Sequence, residues 1–167
     1  MPQANAKPIL DAQLINTVVQ ATTEVLSTMM ATEASFKGVQ ANQDYKATGD
    51  ISAVTTISGE GGEGMFSLSF PLPLANLMVA RLVGADPDHV SSEDRCDGVG
   101  EMANMISGHA KASLSQASGQ SYTLSIPTVI QGKDHEISSR PRNNPYLVVM
   151  FEAEQETFWL QISFKQI

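Results

Sequence analysis

From Asp97 to Gly108 the chain reads Asp-Gly-Val-Gly-Glu-Met-Ala-Asn-Met-Ile-Ser-Gly, and apolar residues recur through and beyond it at Val99, Ala103, Ile106, Ala110, Leu114 and Ala117. That spacing is the period of a helix with one apolar side, which must be covered by a second layer of structure. Glu101 and Asn104 then share the opposite face, and one more turn in each direction adds Asp97 and Gly108. Ser91 or Ser92 supplies the cap, Glu93 and Asp94 complement the dipole in the first turn, and Lys111 lies toward the other end. A glycine inside a helix costs about 0.5–1 kcal/mol relative to alanine, so Gly98, Gly100 and Gly108 in one helix ask for a reason. At Gly108, bare backbone would let another surface come close beside Asn104.

The rest of the chain supplies that second layer. Ile9 to Ala31 is a first amphipathic helix, with Leu10, Leu14, Val18, Ala21, Val25 and Met29 on its stripe and Pro8 suited to its first turn. Residues 35–45 suggest an edge strand on Phe36 and Val39. Ile51 to Ser58 and Met65 to Phe70 form a hairpin across Gly59-Glu-Gly-Gly-Glu-Gly64. Pro71 to Val83 returns to helical spacing and stops at Gly84. After the motif helix come strand-like runs at Tyr122 to Ile130, Tyr146 to Glu152 and Thr157 to Phe164, the last two joined by a turn at Ala153 to Glu156. Residues 132–145, rich in charge and proline, read as an exposed loop. The expectation is an α+β domain with helices packed on a mainly antiparallel sheet, in the order helix, three strands, two helices, three strands. It spans residues 1–167 as one domain.

Ten Lys and Arg against eighteen Asp and Glu give a net charge of -8, which argues against nucleic acid or an anionic membrane as partner. With one cysteine, Cys96, there is no internal disulfide and no multi-cysteine metal site. No apolar signal core and no membrane-length apolar run stands in the sequence, so the expected compartment is the cytoplasm.

The register Asp97, Glu101, Asn104, then twenty-two residues and Pro127 resembles the signature of the chemotaxis phosphatases called CheC, CheX and FliY. The likeness continues through Ile51 to Gly59, Met65 to Phe70 and Ile126 to Gly132. It is nearest the CheX-like branch, since CheC-like members carry two copies of the Glu and Asn motif and this chain has one Glu-x-x-Asn. The resemblance implies a hydrolase of two-component signalling that removes phosphate from the aspartate of a CheY-type response regulator. It implies no cofactor in this chain and Mg²⁺ bound by the regulator. Asn104 would hold water in line with the phosphoryl group, as a neutral amide offering both donor and acceptor. Glu101 would pair with the regulator's active-site lysine. Asp97, Gly108 and Pro127 would support the motif or meet the partner, with Pro127 fixing backbone at a strand start. A homodimer formed through the sheets is implied as well, with the long strands near the C-terminus offering an edge. The rival reading is a non-catalytic binding module for a response regulator or flagellar-switch component.

Other reactive residue types carry plainer readings. His109 follows Gly108 but falls on a different face from Asn104. His89 and His135 lie in expected loops, and with Cys96 they make no zinc or nucleophile spacing. The glycine run at 59–64 lacks the Lys-Ser or Lys-Thr of a phosphate loop. The eight methionines read as core filler.

Overall fold

The structure is a computed structural model that describes residues 11–41, 48–137 and 146–167. Its elements run α1 (Ala12–Met30), β1 (Ser35–Ala41), β2 (Thr48–Gly59), β3 (Gly62–Phe70), α2 (Leu72–Val83), α3 (Ser92–Ser118), β4 (Tyr122–Leu124), β5 (Thr128–Glu136), β6 (Leu147–Ala153) and β7 (Glu156–Gln166). A short 3-10 turn at Pro87–His89 leads into α3. The α+β order is the expected one, with the strand run from Tyr122 divided in two.

That division has a local cause. Pro127 has no N–H to give a ladder. Ser125 instead clips onto Thr56, its N–H donating to the Thr56 carbonyl (2.9 Å) and its hydroxyl oxygen accepting the Thr56 N–H (3.0 Å). Leu124 pairs with Ile57 and Thr128 with Val54, so Ser125, Ile126 and Pro127 stand opposite only Thr55 and Thr56. The extra residue makes a bulge.

Residues 132–136, expected in a loop, are strand instead. β5 runs on through them to pair with Thr48 and Gly49, and the Asp50 carboxylate accepts the Asp134 N–H (3.1 Å) where the ladder is irregular. His135, also expected in a loop, therefore lies in β5. The expected loop over 138–145, the helix start at Pro8 and Leu10, and the strand extension over 42–45 lie outside the described residues.

All pairings are antiparallel, in the order β1-β6-β7-β3-β2, with β4 and β5 sharing the second edge of β2. β6 and β7, expected to offer an open edge to a second copy, are interior strands. β6 is flanked by β1 and β7, and β7 by β6 and β3. Among the described residues, the edges of the sheet are β1 on one side and β4 with β5 on the other.

Strand alternation sends Ile51, Ala53, Ile57, Phe66, Leu68, Phe70, Val149, Phe151, Phe158, Leu160 and Ile162 into one core beneath the helices. α1 fills it with Leu14, Val18 and Val25. Its stripe closes on buried Met30 rather than Met29, which is 42% exposed. α3 contributes Val99, Met102, Ala103, Ile106, Ala110 and Leu114, whereas Ala117, expected on the stripe, is exposed. Gly98 explains itself here: a Cβ at that position would lie 2.8 Å from Val79 Cγ2, so the glycine lets α2 and α3 approach. The β6–β7 turn places Glu154 and Gln155 at positive φ (51° and 66°). The Glu154 carboxylate accepts from Arg81 Nη1 (2.8 Å), which also reaches Thr32 Oγ1 at the end of α1 (2.9 Å).

Candidate functional site

α3 starts at Ser91, whose hydroxyl oxygen accepts the Asp94 N–H (3.0 Å) and whose O–H donates to Asp94 Oδ2 (2.8 Å). From this fixed origin the inward stripe decides what faces out. Asp97, Glu101 and Asn104 are exposed and Gly108 is half-buried, while Met102 and Ala103 between them are buried.

The β4–β5 bulge forms a second wall beside this face. Between the two lies an open groove of about 490 Å³. Asp97, Gly100, Glu101 and Asn104 line it from the helix, and Leu124, Ser125, Ile126, Pro127 and Val129 from the strands, with Cys96 also on its lining. Helix and strand meet at Gly100, where an added Cβ would be 3.5 Å from Val129 Cγ2 and 3.9 Å from Pro127 Cβ. Gln131 of β5 ties the walls together. Its Nε2 donates to Ser92 Oγ (2.9 Å) and Cys96 Sγ (2.9 Å), and its Oε1 accepts from Arg95 Nη1 (3.1 Å). Arg95 Nε in turn donates to Asn76 Oδ1 of α2 (2.7 Å).

Asp97, Glu101, Asn104 and Pro127, picked out by sequence, thus line one groove. Gly108 lies one turn beyond Asn104, and a Cβ there would meet nothing within 4 Å, so it has no packing duty among the described residues. Neither Glu101, Asp97 nor the Asn104 side chain has a hydrogen-bond or ion-pair partner among the described residues. Two unpaired carboxylates beside a free amide can attract a cation and still offer a neutral donor and acceptor next to it. His109 is exposed and does not line the groove. Among the described residues, no group of three or more His, Cys, Asp or Glu is placed to hold a metal. No helix among them is long and apolar enough to cross a membrane.

The strand wall is not evident from the sequence: Leu124, Ser125, Ile126 and Val129 lie in a run that reads as strand, and neither that run nor the likeness over Ile126 to Gly132 marks them as part of the site. The available signal was Ile-Pro inside a run of strand-forming residues, since a proline within such a run calls for an edge or a bulge.

The fold and the groove define a class: a helix-covered antiparallel sheet that turns a Glu-x-x-Asn helix outward beside a strand bulge. Residues 51–152 match the family described as "Chemotaxis phosphatase CheX", and this chain belongs to that family. It is 32% identical to a chemotaxis protein CheX of Desulfovibrio desulfuricans, with a TM-score of 0.80 over 92% of this chain and 99% of that one. To a chemotaxis protein CheX of Vibrio vulnificus it is 27% identical, with a TM-score of 0.83 over 92% of this chain and 100% of that one. The CheX chain in a CheX-CheY-BeF3-Mg complex of Borrelia burgdorferi shares the fold, at 20% identity and a TM-score of 0.74 over 91% of this chain and 97% of that one. No curated protein matches the sequence significantly.

Proposed function

We propose that this protein is a phosphatase that hydrolyses the aspartyl phosphate of a CheY-type response regulator, using the outer face of α3. One observation carries the reading: Glu101 and Asn104 are exposed together on the wall of one groove, with no side-chain partner among the described residues, beside open backbone at Gly108. A polar side chain buried in the fold needs a partner inside it; these two are exposed and unpaired among the described residues, which leaves them available to another molecule.

The chemistry follows from what an acyl phosphate lacks. The regulator supplies Mg²⁺ and a lysine to manage charge, and the slow element is a water in line with the leaving carboxylate. Asn104 accepts a hydrogen bond from that water or donates one to it, without adding charge near the phosphoryl group. The water oxygen bonds to phosphorus, the P–O bond to the aspartate breaks, the carboxylate leaves with the electron pair, and the water's proton passes to solvent. Glu101 docks the helix on the regulator's lysine, Asp97 adds negative charge to the same wall, and Pro127 holds the opposing backbone. The Borrelia complex, which contains a CheX, a CheY, BeF3 and Mg²⁺, supports the choice of a CheY-type partner and is consistent with Mg²⁺ being brought by that partner.

The test is to mix purified protein with phosphorylated CheY-type regulators and follow phosphate loss over time. Accelerated loss with a cognate regulator is expected. Binding without acceleration for every regulator would favour the non-catalytic module.

We further propose that residues 1–167 act as one domain and that two copies assemble through the sheet edge at β1, since β6 and β7 are enclosed and the β4–β5 side forms a wall of the groove. A row of unpaired backbone groups on an edge invites such pairing. Sedimentation equilibrium at micromolar concentration should report about twice the 17.9 kDa chain mass. A monomer that keeps full activity would remove the dimer from the mechanism.

A further inference from the structure

Ile126 is the most exposed large apolar residue among those described, at 88%. It sits on the strand wall of the groove that holds Glu101 and Asn104. Its exposure is imposed by the local structure. The bulge places three residues opposite two, the Ser125–Thr56 clip fixes the residue before it, and the proline after it restricts its own backbone to extended conformations. An isoleucine this exposed buries little apolar area within the domain. A partner covering it gains the apolar burial and loses little ordering entropy, because the loop is already fixed.

We propose that Ile126 is a docking residue that sets affinity and choice of regulator, a role that rests on the phosphatase reading above. The occupant is the receiver domain of the regulator. A body that brings a phosphorylated aspartate against Asn104 and a cation against Glu101 sits at the groove whose opposite wall carries Ile126. The receiver surface that meets Ile126 is therefore apolar and lies beside the phosphorylation pocket, away from the reacting atoms. Groups in that pocket serve the shared chemistry, so the surface outside it is where one regulator can differ from another. Gln131 keeps the bulge at a set distance from α3 through Ser92, Cys96 and Arg95, so the two walls present a fixed gap.

The experiment uses a CheY-type receiver domain loaded with beryllium fluoride and Mg²⁺, titrated into full-length wild type, Ile126→Asp and Ile126→Leu. The same phosphorylated receiver is then used for steady-state hydrolysis. Full burial of an isoleucine corresponds to roughly ten- to a hundredfold in affinity. Ile126→Asp should therefore weaken binding by at least about tenfold, with the loss falling on KM rather than kcat. Ile126→Leu, which keeps the apolar volume, should stay within about threefold of wild type. Both variants should keep the wild-type thermal melt, since the side chain is almost wholly exposed. Tight binding by Ile126→Asp alongside tight binding by wild type overturns the role of Ile126 and leaves the phosphatase reading standing. A wild-type protein that binds no activated receiver overturns both.

Discussion

Two polar clusters in this molecule hold residue types that attract a catalytic interpretation, and they behave oppositely. On the sheet, away from the α3 groove, Ser52 Oγ lies 2.7 Å from Ser69 Oγ and 2.7 Å from His135 Nε2, and His135 Nδ1 lies 2.6 Å from the Gly132 carbonyl oxygen. Asp50 stands beside them and accepts the N–H groups of Leu72 (2.8 Å) and Asp134 (3.1 Å). Serine, histidine and aspartate are all present, yet Ser52 is fully buried and each group is matched to another within the chain. At the groove, Asp97, Glu101 and Asn104 form no such network among the described residues and face solvent. Satisfaction separates the two. The first cluster fastens the far end of β5 to β2, and the second is available to another molecule.

The contrast can be broken most sharply at Gly108. With nothing within 4 Å of a would-be Cβ, Gly108→Leu should leave the melt unchanged or raise it, because glycine is a poor helix residue. Binding of the activated receiver should fall by about 10² or more, since a branched side chain would stand where the partner approaches. A destabilised variant that binds normally per folded molecule would return Gly108 to a packing role.

The buried cluster should answer in reverse. Ser52→Ala removes a hydroxyl from two partners and leaves His135 Nε2 and Ser69 short, which costs about 1–3 kcal/mol. Denaturant titration should show that loss while phosphatase activity per folded molecule is retained. A large loss of activity with unchanged stability would move the cluster from structure to function.

Asp50 gives the smallest effect and a pH signature. Its carboxyl is held below the ordinary value of 3.8, chiefly by the Leu72 N–H, with the Asp134 N–H, His135 and Lys133 adding to this against partial burial. A folded-state value below the unfolded one means the contribution is present above about pH 4 and is lost as pH falls through the lower folded value. Asp50→Asn should cost about 1 kcal/mol near neutrality, and its difference from wild type should shrink below about pH 4. A constant difference across that range would show that the charge is not what matters at this position.

Much of this was legible in the sequence because it rested on periodicity. The stripe through Val99, Ile106, Ala110 and Leu114 determines that Glu101 and Asn104 face out, whatever the stripe packs against. Neighbour relations across the sheet do not follow from a period. Tyr146 to Glu152 and Thr157 to Phe164 read correctly as strands, but nothing local shows that β1 closes over β6, so their enclosure was out of reach. Ile126 was hidden for a related reason. One residue of register mismatch against Thr55 and Thr56 turns it outward, and register is a property of two segments taken together. His135 shows the same limit, since its partner Ser52 is far away in sequence and adjacent only once β5 pairs with β2.

The proposed division of labour has the Asn104 amide perform the chemistry while the rest of the groove binds. It is tested most directly by measuring Asn104→Ala against the phosphorylated receiver at saturating concentrations, with affinity for the beryllium fluoride form measured in parallel. Misplacing the water should cost about 10² or more in kcat, with affinity within a few fold of wild type and an unchanged melt, because the side chain has no partner among the described residues. A kcat within twofold of wild type would remove Asn104 from the chemistry.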